Sequence, residues 1–479
     1  MGYRTMAQEQ KFLVGKEWRS SADKEPNINP YTGKVIADVC QARVQDVEDA
    51  ISCAVEAFEQ TKKMPSYKRA DILLNIAARM EKDREPLAKT ITEESGKPIS
   101  QSLTEVDRAV FTFTTAAEEA KRIYGETIPL DLAAHSERRW SLTRRFPVGP
   151  ITGISPFNYP LNLVAHKIAP CFAAGNTCVL KPPHQAPLTG LHLAKIFLDA
   201  GAPAGTFNVL PCRIDVAQQL VTDERIKMLS FTGSPKVGWE LKTKAGKKKV
   251  LLELGGNAGV IIDRTANLDF AVKRIAMGAY AYGGQICIKV QRIFVHEDVY
   301  DEFLLRFKEE MKALQTGDPM LEDTVISSLI DASAADRVES WIEEAKKGGA
   351  TLLHGGKRKG NIIEPTLLTN ILPDMKVYCE EVFGPVATLH RFNDIQEAID
   401  GVNDSDFGLQ SGIFSNDHRN IFYAYDHIEV GALMVNDFPT YRIDHMPYGG
   451  VKHSGYGREG LRYAIEAMTE LKLLVFHFV

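Results

Sequence analysis

The sequence GPITGISPFNYPLNLVAHKIAPCFAAGNTCVLKPPHQ, residues 149–185, places two short apolar segments on either side of a helical one. The outer segments, GPITGIS and NTCVLK, are rich in β-branched and apolar residues, which is typical of strands. The segment LNLVAHKIAPCFAAG between them has the spacing of an amphipathic helix. A strand, a helix and a second strand in this length predict a βαβ unit with parallel strands.

The same alternation continues towards the C-terminus. TFNVLP, KMLSFTGS and KKVLLELGG predict further strands, and LTGLHLAKIFLDAG and PKVGWELKTKAG predict the helices between them. Beyond Gly256 a second series has the strands NAGVIIDR, VQRIFVHE, SGIFSN and GALMVND and the helices LDFAVKRIAMGAYAYGG and VYDEFLLRFKEEMKALQ. Residues 47–119 have helical spacing throughout. The pattern predicts an α/β protein with two doubly wound α/β domains.

Two strand-like segments belong to neither series. They are RRWSLTRRFPVG, residues 138–149, and LKLLVFHFV, residues 471–479. Isolated strands of this kind often pair with another subunit, because an exposed strand edge carries unpaired backbone groups. We therefore predict a homo-oligomer, and the sequence leaves open whether it is a dimer or a tetramer.

The composition limits the possible partners. The chain has 479 residues, of which 44% are hydrophobic and 25% charged, as is usual for a globular protein of two domains. A net charge of -5 gives no electrostatic reason to expect nucleic acid or an anionic membrane as a partner.

The N-terminal segment and the cysteines predict a cellular compartment. MGYRTMAQEQKFLVGKEW contains no apolar signal-peptide core, and no run reaches the roughly 20 apolar residues that a membrane span needs. The seven cysteines, at positions 40, 53, 171, 178, 212, 287 and 379, are scattered and odd in number. This spacing suggests neither a disulfide framework nor a zinc site. We expect a cytoplasmic protein with reduced thiols and no metal.

Two predicted strands end in segments that could bind or react with a ligand. In FTGSPK, Ser234 occupies the N-cap position of a helix and Pro235 its first position, and the free N–H groups there would attract a phosphate. Such a turn is also common without a ligand. In VLLELGG, Glu253 ends an apolar strand, and burial would raise its pKa towards the range of a general base. A structural ion pair is the alternative for Glu253.

Two further side chains lie on connections between elements. Asn158, in SPFNYP, could donate a hydrogen bond to a developing oxyanion, or it could simply cap a turn. Cys287, in YGGQICIKVQRIF, follows a Gly-Gly pair at a helix-to-strand connection. By itself a cysteine between isoleucines is compatible with a buried packing residue as well as with a nucleophile.

Taken together, FTGS at 231–234, ELGG at 253–256, GQIC at 284–287, EEVFGP at 380–385 and GREG at 457–460 resemble the aldehyde dehydrogenase superfamily, in their order as well as their letters. The resemblance covers essentially the whole chain. It implies a Rossmann-like dinucleotide-binding domain at 1–127 and 147–255, a catalytic thiol domain at 256–445, and a small oligomerisation β-arm at 128–146 and 466–479.

The resemblance also implies a mechanism. Cys287 would attack the aldehyde carbonyl and form a thiohemiacetal, which passes a hydride to the nicotinamide and becomes a thioester. Asn158 and the Cys287 N–H would hold the oxyanion, and Glu253 would activate the water that releases a carboxylic acid. Lys167 and Glu459 match positions that support proton movement near this base.

The cofactor positions follow from the same resemblance. Gly233 and Ser234 would receive the pyrophosphate, Lys181 the adenosine ribose, and Glu381 and Phe383 the nicotinamide riboside. The positions implied to contact the cofactor are Ser155, Pro156, Phe157, Lys181, His184, Phe231, Gly233, Ser234, Gly238, Leu254, Glu381 and Phe383.

One departure from the family pattern concerns the choice of cofactor. Where the family has a glutamate that grips the adenosine ribose diol, this chain has His184, in KPPH. Losing that carboxylate removes a like-charge penalty against a 2′-phosphate. We therefore predict NADP as cofactor, with NAD as a further possibility. The alternative is that His184 turns outward and contacts nothing.

The second departure concerns the substrate, for which the resemblance implies contacts with Arg108, Ile286, Ile288 and Arg442. Two guanidinium groups would suit a phosphate or carboxylate on the far end of an aldehyde. Ile286 stands where phosphate-specific relatives often carry another arginine, and Arg442 could instead pair with Asp444. Candidate substrates are lactaldehyde, glyceraldehyde 3-phosphate and succinate semialdehyde. A coenzyme A-acylating enzyme and a non-catalytic binding protein of the same fold are the alternative functions.

Overall fold

The computed structural model describes residues 8–479. The first seven residues of the N-terminal segment, for which we predict no signal peptide, lie outside the described residues, as does the beginning of the predicted domain 1–127. In the described part of the chain no helix is long and apolar enough to cross a membrane.

The first sheet confirms the βαβ prediction. Five parallel strands form its centre, and short antiparallel strands lie at both edges. In spatial order the strands are Gly455–Tyr456, Lys249–Glu253, Met228–Thr232, Pro150–Ile154, Thr177–Lys181, Phe207–Val209, Phe12–Val14 and Glu17–Arg19. The connecting helices are Asn162–Ala174, Leu188–Asp199, Ile214–Thr222 and Pro235–Lys244.

The helices that precede this sheet pack against it. They are Val44–Thr61, Ser66–Lys82, Arg84–Ser95 and Ile99–Ala120, and their apolar faces join the largest hydrophobic core. The sequence analysis found the helical spacing but did not separate Arg84–Ser95 from its neighbours. Glycine at position 96 takes a positive φ of 71° and ends that helix, which is a common helix C-terminus.

The second sheet is likewise mostly parallel. Its spatial order is Thr351–His354, Thr366–Thr369, Val386–Phe392, Val290–His296, Ala258–Ile262, Gln410–Phe414 and Ala432–Val435, and only the first of these strands is antiparallel. The helices after Gly256 are Leu268–Tyr280, Glu297–Ala313, Ala332–Lys347, Lys376–Cys379, Ile395–Asn403, His418–His427 and Leu461–Ala467. All seven residues of Val290–His296 are buried, because helices cover both faces of the sheet.

The two isolated strand-like segments pair with each other. Thr469–His477 runs antiparallel to Arg139–Pro147, and Thr127–Pro129 adds a third strand. Most of Thr469–His477 is exposed, including Leu471, Leu473 and Phe476. The sequence therefore identified these strands, and the use of this sheet in an oligomer stays a prediction.

The remaining elements are short. A three-stranded sheet consists of Gln8–Gln10, Val35–Cys40 and Lys24–Ile28, and two small ladders pair Arg358–Lys359 with Ile362–Ile363 and Phe407–Gly408 with Val451–Lys452. Short 3₁₀ turns lie at Ala134–Ser136 and Ala281–Gly284. The sequence analysis did not predict the strands before residue 40. These strands are three to six residues long, which gives little pattern to read.

Candidate active site

The predicted site residues meet at one edge of the first sheet. Ile154, Lys181, Thr232 and Glu253 end four adjacent parallel strands, so the segments after them all leave from the same edge. The chain order of the strands reverses beside Pro150–Ile154, and crevices at such reversals are where open α/β sheets bind ligands.

The glycines of ELGG join this edge to the second half of the chain. A Cβ added to Gly256 would collide with the carbonyl group of Cys287, and one added to Gly255 would collide with the carboxylate of Glu381. Glu381 Oε1 accepts a hydrogen bond from the Gly256 N–H at 3.0 Å. Because Gly255 and Gly256 have no side chain, the segment that follows Glu253 can approach both Cys287 and Glu381 closely.

Cys287 lies on a bend between a helix and a strand, as predicted. The helix ends at Tyr280 and not at the Gly-Gly pair, and the strand begins at Val290 and not near Ile288. Between them Tyr282 and Gly283 take positive φ angles of 55° and 61°. The Tyr282 hydroxyl donates to the carbonyl of Ser95 at 3.1 Å, which helps to stabilise the left-handed conformation of a bulky residue.

The thiol of Cys287 is in contact with a tyrosine that the sequence analysis did not identify. The hydroxyl of Tyr448 lies 3.2 Å from Sγ. Burial raises the pKa of Cys287 to about 12, although the hydroxyl partly offsets this effect. The thiol therefore holds its proton at neutral pH, and its reaction requires that the proton leave.

Asn158 is held with its amide group near this bend. Its Nδ2 donates to the carbonyl of Gln285, two residues before Cys287, at 2.8 Å. The side chain is buried, and its Oδ1 has no hydrogen-bond partner among the described residues. One hydrogen of the amide fixes the side chain against the cysteine loop, and the second is available for another acceptor.

Glu253 is a buried carboxyl group without a hydrogen-bond partner. Within residues 8–479 neither of its side-chain oxygens is bonded, although the residue is only 3% exposed. Burial, together with the nearby charge of Glu459, raises its pKa well above the ordinary value. The structural ion pair considered as the alternative for Glu253 is absent from the described residues. A raised pKa and free oxygens are what a general base working near neutral pH needs.

Lys167 and Glu459 form a buried pair behind Glu253. Lys167 Nζ donates to Thr232 Oγ1 at 2.7 Å and to Glu459 Oε1 at 3.4 Å. Burial lowers the pKa of Lys167. Burial alone would raise the pKa of Glu459. The electrostatic interactions with Lys167, His166 and Arg442 are stronger and lower it to about 2. Glu459 is therefore a permanent carboxylate, whereas Glu253 beside it retains a proton more readily.

The two arginines predicted to contact substrate meet at Cys287. Together with Asn158, Ile286 and Ile288 they line a cavity of about 40 Å³. Tyr159 and Tyr448 complete its walls. The cavity brings together the positions that the sequence analysis assigned to the thiol, the oxyanion and the substrate.

The arginines have partners that differ from those expected. Arg442 donates to Glu459 Oε2 at 3.1 Å, and its guanidinium lies 3.6 Å from the centre of the Tyr448 ring. Asp444 pairs instead with Arg108, which donates to both its oxygens at 2.7 and 3.1 Å. The suggested Arg442–Asp444 pair is therefore wrong. Two side chains that are close in a loop sequence can point towards different parts of the protein, so their proximity in the sequence does not predict that they pair.

The predicted cofactor residues surround the same crevice from the other side. Gly233 and Gly238 pack against the ring of Phe231, and a Cβ on Gly238 would also collide with Leu254. Ser234 is at the N-cap of Pro235–Lys244, but its hydroxyl makes no capping hydrogen bond. The first-turn N–H groups of this helix therefore stay available to an anion.

Aromatic residues lie where the sequence predicts the nicotinamide. The rings of Phe157 and Phe383 meet edge to face at 5.9 Å between centroids, and Phe383 has a positive φ of 45°. Glu381 is nearby, where burial raises its pKa to about 7. Ser155 Oγ is buried and has no partner among the described residues. The free hydroxyl of Ser155 and the aromatic surfaces fit a dinucleotide.

Lys181 and His184 lie at the far end of the crevice. Lys181 ends its strand, and Nζ donates to the carbonyl of Pro182 at 3.2 Å. Burial lowers the pKa of Lys181. His184 is exposed in the loop that follows, which agrees with the alternative that its side chain turns outward. Its contact with the cofactor stays a prediction.

Comparison with known proteins agrees with this geometry. The aldehyde dehydrogenase family matches residues 18–474. The chain belongs to this family. It is 43% identical to the 3-sulfolactaldehyde dehydrogenase of Priestia aryabhattai over 474 residues, 99% of both proteins. It superposes with a TM-score of 0.97 on aldehyde dehydrogenase 21 of Physcomitrella patens, solved with the reaction product succinate, at 42% identity and 99% coverage of both chains.

A third relative is a solved structure with cofactor. The glyceraldehyde-3-phosphate dehydrogenase of Methanocaldococcus jannaschii, complexed with NADP, matches with a TM-score of 0.92 and 39% identity, covering 96% of this chain and 100% of the other. The protein is an NAD(P)-dependent aldehyde dehydrogenase with the predicted α/β fold. The fold and enzyme class predicted from the sequence are thus confirmed.

Several residues of this aldehyde dehydrogenase site were not foreseen. Tyr448 contacts the thiol, Tyr159 lines the cavity, and His166 and Asn162 hydrogen-bond to Asp444. Their only sequence signal is proximity to predicted residues. Tyr159 follows Asn158, and His166 precedes Lys167. Of the described residues, no three or more His, Cys, Asp or Glu side chains are grouped so that they could hold a metal ion.

Proposed function

We propose that this aldehyde dehydrogenase oxidises a short aldehyde with one anionic group at its far end, such as succinate semialdehyde, to the free acid with NADP. The observation that supports this proposal most strongly is the small cavity that Arg108, Arg442 and Cys287 line together. A guanidinium matches a carboxylate or sulfonate in charge and geometry. The volume of about 40 Å³ favours a chain of a few carbons.

Arg442 has unused hydrogen-bonding capacity in this cavity. Its Nε is buried and has no partner in the described part of the chain. A buried donor without a partner costs free energy, so a ligand oxygen that accepts from it is favoured. The relatives support an anionic substrate, since one is named for 3-sulfolactaldehyde and another holds succinate. Lactaldehyde and glyceraldehyde 3-phosphate are the other candidates, because relatives are named for them as well.

In the first half of the reaction, Cys287 attacks the aldehyde carbon. The Sγ–C bond forms as the C=O π bond breaks, the thiol proton passes to water, and the carbonyl oxygen becomes an oxyanion. When the hydride leaves the carbon, this oxygen re-forms the C=O bond and the thioester results. The free hydrogen of the Asn158 amide and the Cys287 N–H donate to this oxygen. Bound NADP would supply the acceptor for the hydride of the thiohemiacetal carbon, and Gly233, Ser234, Glu381 and Phe383 are among the residues that would hold it. Asn158 is held in place by its bond to Gln285.

In the second half, Glu253 removes a proton from water. The water oxygen attacks the thioester carbon, the C–S bond breaks, and Cys287 departs with the proton restored. Glu253 suits this step because its oxygens are free and its pKa is raised. The Glu459 carboxylate holds Lys167 near the base, and Lys167, whose pKa burial lowers, can exchange protons there.

NADP is the proposed cofactor, with NAD used less well. His184 stands where the family has a glutamate, and Lys181 beside it is positively charged when protonated. A 2′-phosphate is therefore not repelled by a carboxylate from this position. The Methanocaldococcus jannaschii relative contains NADP, which supports the same choice.

The wider organisation of the enzyme is also proposed. Residues 1–127 and 147–255 would form the dinucleotide-binding domain, 256–445 the catalytic domain, and 128–146 with 466–479 the oligomerisation arm. The exposed apolar side chains of Thr469–His477 support a homodimer or homotetramer. The seven free cysteines support a cytoplasmic location.

The two alternative functions are less well supported. A coenzyme A-acylating enzyme does not require a base that activates water, and Glu253 is present with free oxygens. A non-catalytic binding protein would not require Cys287, Glu253 and Asn158 together, and all three lie at the same crevice.

A panel of aldehydes tests the proposal. We expect kcat/KM with NADP to be at least about tenfold higher for succinate semialdehyde than for neutral butyraldehyde, since one guanidinium–carboxylate contact contributes more than about 1.4 kcal/mol. Arg442→Met should remove most of that advantage and leave the neutral aldehyde less affected. Equal rates for charged and neutral aldehydes would contradict the proposed substrate class while leaving the enzyme class intact.

A further inference from the structure

We propose that Asp444 determines which anions the substrate cavity accepts, by neutralising Arg108 so that singly charged tails are favoured over phosphate. This inference rests on the proposed function, because it concerns how the same cavity distinguishes among anionic aldehydes. Asp444 is not itself among the residues that line the cavity. It acts through Arg108.

Four hydrogen bonds from three side chains outside its own loop hold Asp444 in place. Arg108 donates to both carboxylate oxygens at 2.7 and 3.1 Å. Asn162 Nδ2 donates to Oδ1 at 3.0 Å, and His166 Nε2 lies 2.8 Å from the same oxygen. The residue is only 1% exposed. Its loop is thereby attached to the helices that carry Arg108 and His166.

The two arginines differ in how their charges are compensated. Arg108 is paired with Asp444, whereas Glu459 is shared between Arg442 and Lys167. Both carboxylates are permanently ionised, because the neighbouring cations hold the pKa of each well below its usual range. Asp444 therefore cancels the charge of Arg108, and the surplus positive charge that Arg442 and Lys167 leave beside Glu459 is that of a single cation.

This balance has different consequences for different tails. A carboxylate or sulfonate adds one negative charge to the cavity, whereas a phosphate monoester adds up to two near neutral pH. In a cavity of low polarity the second charge is costly unless a cation is free to compensate it. Because Asp444 occupies Arg108 in a bidentate contact, the structure assigns it the role of excluding the doubly charged tail.

The test compares two substrates in one enzyme. Asp444→Asn removes the charge while retaining a side chain of nearly the same shape that still accepts from Arg108. The measured quantity is the ratio of kcat/KM for glyceraldehyde 3-phosphate to kcat/KM for succinate semialdehyde. We expect this ratio to rise on the order of tenfold in Asp444→Asn. A ratio is independent of the fraction of folded enzyme, so partial loss of stability does not affect it.

A matched control lies one residue from Arg108. Asp107 is on the same helix, but it pairs with Arg84 at 2.5 Å on the protein surface. Asp107→Asn removes one negative charge from the helix that carries Arg108 without changing the cavity. The ratio of the two kcat/KM values in this variant should equal that of the wild type. If Asp444 only positions its loop, Asp444→Asn will lower both kcat/KM values alike, and the unchanged ratio will overturn the proposal.

A second measurement uses the unmodified enzyme. Raising the pH from about 5.5 to about 8 converts the phosphate tail from one negative charge to two, whereas the carboxylate tail stays singly charged. Ionisations of the enzyme cancel in the ratio where they affect both substrates alike. His166 is the titratable group in contact with both Asp444 and Arg442, and burial lowers its pKa, which keeps it neutral over this range. The proposal predicts that the ratio falls severalfold over this range, and a constant or rising ratio would contradict it. A wild type without preference for anionic aldehydes would refute the proposed function instead.

Discussion

Replacing Glu253 with glutamine separates the two halves of the proposed reaction. Glutamine has nearly the same shape but cannot take a proton from water. The Glu253 carboxyl has no hydrogen-bond partner among the described residues, and its raised pKa means that little ionic interaction is lost. We therefore expect a change in the free energy of unfolding of less than about 1 kcal/mol.

The magnitude of the kinetic effect follows from the role of the base. General-base catalysis contributes about 10²–10⁴-fold, which is about 2.7–5.4 kcal/mol of activation free energy. Only hydrolysis of the thioester depends on Glu253 in the proposed mechanism. The first hydride transfer should therefore survive in Glu253→Gln, and the steady-state kcat should fall by this factor.

Rapid mixing of Glu253→Gln with NADP and succinate semialdehyde tests this expectation. The variant should form about one equivalent of NADPH per active site in a burst and then turn over slowly, and mass spectrometry should find the acyl group on Cys287. Glu309→Gln, an exposed glutamate paired with Lys312 on the surface, is the control and should behave like the wild type. A steady-state kcat within about threefold of the wild type would refute the role of Glu253.

Two further predictions concern the cofactor and the thiol. His184→Glu places a carboxylate beside Lys181, and the ratio of kcat/KM for NADP to that for NAD should fall about tenfold, whereas neutral His184→Gln should change it little. An equal fall in both variants would contradict the repulsion argument. In the apoenzyme, burial raises the pKa of Cys287 to about 12, so its alkylation by iodoacetamide should accelerate continuously from neutral pH to pH 9 and above. Tyr448→Phe removes the hydroxyl 3.2 Å from Sγ, which should raise that pKa further and slow alkylation by roughly tenfold. A rate that levels off near neutral pH, or that Tyr448→Phe leaves unchanged, would count against this description of the thiol.

The sequence could predict the strands and helices that carry the chemistry because their patterns are local. The apolar strand that ends in Glu253 and the helix that begins at Pro235 were both identified from composition and spacing. The position of Cys287 between two elements was also correct, although the helix ends three to four residues earlier and the strand begins two residues later than predicted. Such boundaries depend on backbone angles, such as the positive φ of Tyr282, that a bulky residue does not signal.

The pairing of charged side chains could not be predicted in the same way. Arg108 and Asp444 are 336 positions apart and meet only because the loop after the second sheet folds back onto the N-terminal helices. Arg442, two residues from Asp444, turns towards Glu459 instead. The choice between these partners depends on where each loop side chain points, which has no periodic pattern.

The most direct test of the central claim is the activity of Cys287→Ala. The account predicts that this variant folds, binds NADP with a Kd close to that of the wild type, and forms no NADPH with succinate semialdehyde or any other aldehyde, including in a single turnover. Alanine removes only the Sγ atom that attacks the aldehyde carbon. Formation of NADPH by purified Cys287→Ala at a rate above about one thousandth of the wild-type rate would contradict the account.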